Sequence, residues 1–245
     1  MNALETLYVL DFDETRDYDM TTVFTDRRAA PRYSVAEVSL YLHLHEKTLR
    51  SWLFGRQYTV AGETVMSQPL IVPADPSRSR LSFYNLVECH ILKSARQRDE
   101  VPMQAIRDAI EYAMDSDPSP HPLITQRFET EGSFLFVEKL GQLVNYTKQG
   151  QLAFGEIMQD ALKRIDRDYI GPSVLYPFIP NRPNSKVVAI KPGVSSGVPT
   201  VSGTGISIQI LFGRFNAGDS VTDLMDDYEL TKEQVEDALE YLRAA

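Results

Sequence analysis

The sequence predicts a mainly α-helical chain with small antiparallel β elements (α+β), a winged helix-turn-helix in its N-terminal part and a small three-helix domain at its C-terminal end. Three observations predict it. A capping signal at Ser34 and Glu37 introduces two short amphipathic segments separated by three residues. Apolar residues recur at helical spacing over 81–97, 101–113 and 206–242. Proline-rich stretches at 115–122 and 172–192 bracket a central segment. The expected divisions are an acidic arm (1–30), the helix-turn-helix with a second helical pair (31–115), a central β-hairpin, helix and proline-rich linker (116–185), and a C-terminal helical domain (186–245).

In chain order, Leu7, Val9 and Leu10 suggest a short strand within acidic sequence. At Ser34 and Glu37 each side chain can satisfy a free backbone N–H at a helix start, and Val35, Val38 and Leu42 follow at helical spacing. After the break at His43-Leu44-His45, Glu46 to Leu53 forms a second helix. Leu49, Trp52 and Leu53 face inward there, while Lys47, Arg50 and Ser51 face outward. Gly55 suits the position just past a helix end. Residues 56–72 alternate loosely and suit a hairpin, the wing. The next helix places Phe83, Leu86, Val87, His90, Ile91 and Ser94 on one face. Another opens at Pro102, where a missing N–H costs little.

Leu123 to Leu152 reads as β, with Phe-Leu-Phe-Val at 134–137 and turns at Gly132, Gly141 and Gly150. Phe154 to Tyr169 is amphipathic and helical. A short strand at Val187 to Ile190 and a Gly/Ser/Pro-rich hairpin open the last unit. One helix starts there near Ile206 and two more are capped by Ser220 and Thr231. Val221, Leu224, Leu230, Val235 and Leu239 supply part of its core.

The chain has 245 residues, 43% of them hydrophobic, enough for a sizeable core. Its single cysteine, Cys89, excludes an internally disulfide-stapled scaffold. The acidic start lacks the features of a secretion signal, and no run approaches the ~20 apolar residues of a membrane span. A soluble cytoplasmic protein without membrane contact is expected. The net charge of −9 hides a gradient. Residues 1–25 carry net −5, residues 26–107 net +4 and residues 215–245 net −7. A basic block within an acidic chain is compatible with a modest DNA contact.

No catalytic constellation assembles, and no cofactor, metal or catalytic residue is assigned. His43-x-His45 lacks further ligands at suitable spacing and is expected to be solvated or phosphate-facing. Cys89 and His90 are adjacent, hence on different helix faces, and Cys89 is expected to be buried and structural. The glycines at 197 and 203–205 match no nucleotide-binding loop and read as turns. Asp223, Asp226, Asp227 and Glu229 read as a solvated acidic face. The candidate DNA-binding residues are His45, Lys47, Thr48, Arg50, Ser51, Arg56 and Gln57. They are short or cationic side chains on one outward helix face and at the root of the wing, suited to base edges and phosphates. Arg78 and Arg80 are further phosphate candidates. An ordinary solvated helix face is the competing reading.

Two stretches resemble known families. YSVAEVSLYLHLHEKTLRSWLFG, with Leu49-Arg50-Ser51-Trp52, resembles a MerR-type helix-turn-helix, although His43 stands where that family has glycine. The following helical pair resembles that of the same regulators, without their long dimerising coiled coil. The C-terminal stretch keeps Gly203-Thr204, Ile206, Gly218-Asp219-Ser220, Asp227-Tyr228, Thr231, Val235, Ala238-Leu239 and Tyr241. It resembles a small antitoxin domain of the unknown-function class, with Gly205 in place of that family's arginine.

Together the two resemble VapB-type antitoxins. The resemblance implies a chain that neutralises a PIN-like ribonuclease toxin and binds operator DNA to repress its own operon, and the geometry of a helix-turn-helix reading two half-sites suggests a homodimer. Ile206, Gln209, Phe212, Asp223, Asp226 and Asp227 are assigned to the partner surface, whose acidity suits a cation-presenting ribonuclease. A stand-alone MerR-like transcription regulator and a metal-dependent hydrolase are the alternatives.

Overall fold

A computed structural model describes residues 26–60, 63–96, 101–114, 119–145 and 147–243. The strand expected at Leu7–Leu10 lies outside these residues. Within them the chain forms helices joined by four two-stranded antiparallel sheets around two neighbouring hydrophobic cores.

Strand β1 (Tyr33–Ser34) pairs with β4 (Arg80–Leu81), bringing the start of the helix-turn-helix beside the start of the second helical pair. Helix α1 (Val35–Tyr41) starts at the expected capping box. The Ser34 hydroxyl accepts from Glu37 N–H, and the Glu37 carboxylate accepts from Ser34 N–H at 2.7 Å. A helix of seven residues leaves most of its last carbonyls without intrahelical partners. Distant side chains supply them here. Lys93 Nζ donates to Leu42 O at 2.7 Å, and the Tyr241 hydroxyl donates to Tyr41 O. The turn carries His43 at φ 48°, the left-handed region usually given to glycine. Helix α2 (Glu46–Phe54) buries Leu49, Trp52 and Leu53 and ends at Gly55 (φ 73°, ψ −177°). A Cβ at Gly55 would meet Ser67 O at 2.0 Å, so both backbone angle and space require glycine.

Strands β2 (Gln57–Val60) and β3 (Glu63–Met66) pair as an antiparallel hairpin within 56–72, where the sequence predicts one. Helix α3 (Phe83–Ala95) is capped by Ser82 and buried on nearly every side. Glu88 is consequently inside the protein, accepting from Asn85 Nδ2 at 3.3 Å and facing His121 Nδ1 at 3.0 Å. Cys89 is buried and free, as expected. Helix α4 (Met103–Met114) follows Pro102.

The β reading of 123–152 is incorrect. A short 3-10 turn (Pro122–Ile124) leads into a π-helical turn (Phe128–Gly132) and helix α5 (Ser133–Leu143), and helix α6 (Lys148–Leu162) follows. Phe128, Phe136 and Leu140 are buried along one face, as are Phe154, Met158 and Ala161 along another. Their spacings of three, four and eight residues belong to helices, and burial of these stripes outweighs the β preference of the aromatic run. Gly132 and Gly141 sit within helical segments. A Cβ at Gly141 would meet the Gln151 side chain at 2.2 Å, so this glycine lets α5 and α6 approach closely. The helix expected over Phe154–Tyr169 ends at Leu162. Strands β5 (Ile165–Arg167) and β6 (Pro172–Leu175) then form a hairpin where the proline-rich stretch begins.

In the last unit, β7 (Val188–Ala189) pairs with β8 (Thr200–Val201). Helices α7 (Ile208–Asn216), α8 (Val221–Tyr228) and α9 (Lys232–Arg243) enclose Leu211, Leu224, Val235, Ala238 and Leu239. Ser220 caps α8 through a capping box with Asp223, and the Thr231 hydroxyl accepts from Gln234 N–H at the start of α9. The two cores meet at the helix-turn-helix. The Tyr33 hydroxyl donates to Gly197 O at 3.1 Å, and the Tyr241 ring lies 4.7 Å from the His43 ring.

Candidate nucleic-acid interface and partner surface

Burial of Leu49, Trp52 and Leu53 fixes the rotation of α2 and turns its other face outward. Lys47 and Arg50 are exposed, while Thr48 and Ser51 are half-buried. The Ser51 hydroxyl donates to Thr48 O at 2.7 Å and is partly committed to the helix. Arg50 Nε donates to Glu46 one turn earlier at 2.8 Å, an ion pair of the i,i+4 type. His45 is exposed and structural at once, since its Nδ1 accepts from Lys47 N–H at 3.1 Å as the N-cap of α2. Arg56 and Gln57 are exposed at the root of the hairpin.

Six of the seven sequence-derived residues (His45, Lys47, Thr48, Arg50, Ser51 and Arg56) line one open cleft of about 1040 Å³. Gln57 does not line it. Sequence reasoning missed its far wall. Arg96 at the end of α3 and Gln104 and Arg107 of α4 face α2 across the cleft. Arg107 is held there by Pro69 O and Gln68 O, at 3.1 and 2.6 Å. Five cations and no carboxylate occur among the described lining residues, which gives this face a positive potential within an acidic chain. Its signal in the sequence was the basic residues at the end of one helix and inside the next, uninterpretable until the two helices are folded against α2.

One expectation is corrected. His43 is not solvated or phosphate-facing. Its ring packs against Tyr241, its Nε2 is buried without a partner, and burial together with the nearby Lys93 cation lowers its pKa to about 4. Arg78 and Arg80, the further phosphate candidates, are exposed outside the cleft. Arg78 lies 4.0 Å from Asp75, and Arg80 lies 3.9 Å from Glu37.

In the C-terminal unit, Gln209, Asp223, Asp226 and Asp227 are exposed, whereas Ile206 and Phe212 are half-buried and pack against the core. The acidic residues are not uniformly free. Asp223 accepts from the Ser220 hydroxyl and N–H within the capping box, and Asp227 pairs with Arg214 at 2.6 Å. The Tyr228 hydroxyl, Asp227 and Asp219 together raise the pKa of the Arg214 guanidinium. Gly205 is exposed, and a Cβ there would make only an ordinary contact with Ser195 Oγ at 3.8 Å. No group of three or more His, Cys, Asp or Glu side chains is placed to hold a metal ion among the described residues. No helix among them is long and apolar enough to cross a membrane.

Comparison with known proteins places two family models on these two regions. Residues 31–110 match a family described as "Putative DNA-binding HTH domain", and residues 188–242 match "Protein of unknown function (DUF433)". The chain is 29% identical over 233 residues to a protein named "Putative antitoxin VapB45" from Mycobacterium tuberculosis, covering 87% of this chain and 95% of the relative. It is also 26% identical to the uncharacterized protein Rv2308 of the same organism, over 86% of this chain and 90% of the relative. The crystal structure of Rv2018 from Mycobacterium tuberculosis shares the fold, with a TM-score of 0.61 and 24% identity over 86% of this chain and 98% of that one.

Proposed function

We propose that the protein is a DNA-binding antitoxin: it neutralises a PIN-like ribonuclease toxin through its C-terminal unit and, as a homodimer, represses the operon that encodes both. The observation that carries the reading is the cationic cleft beside α2. It collects Lys47, Arg50, Arg56, Arg96 and Arg107 around an exposed recognition-helix face, within a chain of net charge −9. Lys47, Thr48 and Arg50 reach toward base edges in the major groove, and Gln57 and the hairpin that follows flank the phosphate backbone as a wing. A two-fold dimer then reads half-sites about one helical turn apart. The likeness over most of the chain to a protein named an antitoxin supports the second role. The mechanism is stoichiometric and calls on no catalytic residue.

The test is co-expression of the tagged chain with the product of its neighbouring open reading frame, followed by mass analysis and a mobility-shift assay on the promoter fragment. A co-purifying ribonuclease-like protein and a shifted promoter are expected. A shifted promoter with nothing bound would return the chain to the stand-alone regulators, and no shift by the intact protein would remove the DNA-binding role.

A further inference from the structure

Helix α7 buries Ile208 and Leu211 and packs Phe212 and Phe215 toward the core, which turns Gln209, Ile210 and Gly213 outward. Ile210 is 52% exposed, and among the described residues of the C-terminal unit no other large apolar side chain is strongly exposed. Gly213 is the sixth of nine residues in this helix, where glycine weakens the helix by its backbone freedom. A Cβ at Gly213 would meet no atom within 4 Å, so nothing in the chain's own packing requires glycine there. This helix face therefore carries one large exposed apolar side chain beside a position with no side chain, a shape against which a partner backbone can pack closely.

The border of this face is charged. Arg214, one turn after Ile210, is bound by Asp219 at 2.5 Å and Asp227 at 2.6 Å. Asp223 is also close enough to sense its charge, although the Ser220 hydroxyl is the stronger influence on that carboxylate. One guanidinium among three carboxylates leaves the rim negative.

We propose that Gln209, Ile210 and Gly213 form the centre of a docking face for a cationic protein partner. Ile210 enters an apolar recess, Gly213 admits a partner backbone at close range, and Asp219, Asp223 and Asp227 meet lysine or arginine around it. This face rests on the neutralisation reading above and names its contact surface. A second copy of this chain is the less suitable occupant, because two such faces would bring their negative rims together.

The test titrates the full-length chain with the purified product of the neighbouring open reading frame by calorimetry, beside sedimentation of the chain alone. Ile210→Asp and Gly213→Gln are each expected to weaken the complex at least tenfold. Gly213→Gln is expected at the same time to raise the Tm of the free chain by about 1–2 °C, because glutamine is the better helix former. Val72→Asp, at a still more exposed apolar position beside the helix-turn-helix, is expected to leave the complex unchanged. Tight binding by the unaltered chain and by both α7 variants would overturn the face while sparing neutralisation. No binding by the unaltered chain would overturn neutralisation, and the face with it. If the α7 variants instead abolish self-association, the occupant is a second copy and the proposal fails.

Discussion

The clearest quantitative consequence of the cleft concerns salt. Lys47 and Arg56 are exposed and line it, and no ion pair among the described residues engages either. Each cation that meets a phosphate displaces counterions, adding about −0.9 to the slope of log affinity against log salt. In a two-fold dimer one substitution removes two contacts, so Lys47→Ala or Arg56→Ala should make the slope shallower by about 1.8. The two positions together account for about four contacts, or about a 150-fold loss of affinity between 50 and 200 mM salt. Fluorescence anisotropy of a labelled promoter fragment, titrated at three potassium chloride concentrations, reads these slopes. Lys163→Ala is the control, since this exposed residue pairs with Asp160 on α6, away from the cleft. Slopes that stay parallel for all three variants would refute phosphate contact by the cleft, even if absolute affinity fell.

Further outcomes follow from the same geometry. Glu46→Gln frees Arg50 from its exposed pair and removes a negative charge from α2, so promoter affinity should rise about two- to fivefold; an unchanged or lower affinity in the same titration would count against Arg50 as a contact. His90 is buried, its Nε2 lies 3.1 Å from Ala161 O, and burial lowers its pKa to about 4 from 6.5. The unfolded chain therefore binds the extra proton first, and stability is lost as pH falls from about 6.5 toward 4. Between pH 7 and 5 this histidine alone accounts for about 2 kcal/mol. Urea unfolding of His90→Gln should show a pH dependence shallower by that amount, the opposite contribution of Glu88, whose pKa burial raises, cancelling in the difference. Gly55→Ala meets both a forbidden backbone region and Ser67 O, and should cost about 2–3 kcal/mol in the same assay.

The parts of the fold legible in the sequence are those governed by local chemistry. The Ser34–Glu37 and Ser220 caps, the α1–turn–α2 spacing, the inward Leu49–Trp52–Leu53 set and the hairpin after Gly55 each depend on residues within a few positions of one another. The central segment reads as β in the sequence because Phe134, Leu135, Phe136 and Val137 form a continuous apolar run whose β preference conceals the helical stripe. Only packing of α5 on α6 reveals that Gly141 is a contact point rather than a turn. At the site, the α2 face was readable and the α4 wall was not, because Arg107 joins it from 57 residues beyond Arg50. His43 shows the same limit. Beside a recognition helix it suggests a solvated or phosphate-facing ring, but a tyrosine almost 200 residues later covers it.

That tyrosine binds the helix-turn-helix to the C-terminal unit energetically. Tyr241 is fully buried, and its hydroxyl serves the Tyr41 carbonyl at the end of α1. Tyr241→Phe keeps the ring against His43 and removes only the donor, leaving a buried carbonyl unpaired at a cost of about 1–2 kcal/mol. For a chain of this size that corresponds to a fall in Tm of about 2–8 °C. The loss should appear in both units, because the contact joins the two cores rather than belonging to one. Hydrogen exchange should accelerate at the amides of His43 and Leu44, which donate to Leu40 O and Ser39 O in the turn, and also along α9. Acceleration along α9 alone would mean that the helix-turn-helix holds its turn without the tyrosine. The C-terminal unit would then be a passenger on an independent DNA-binding head, and a partner bound to it would have no structural route to α2.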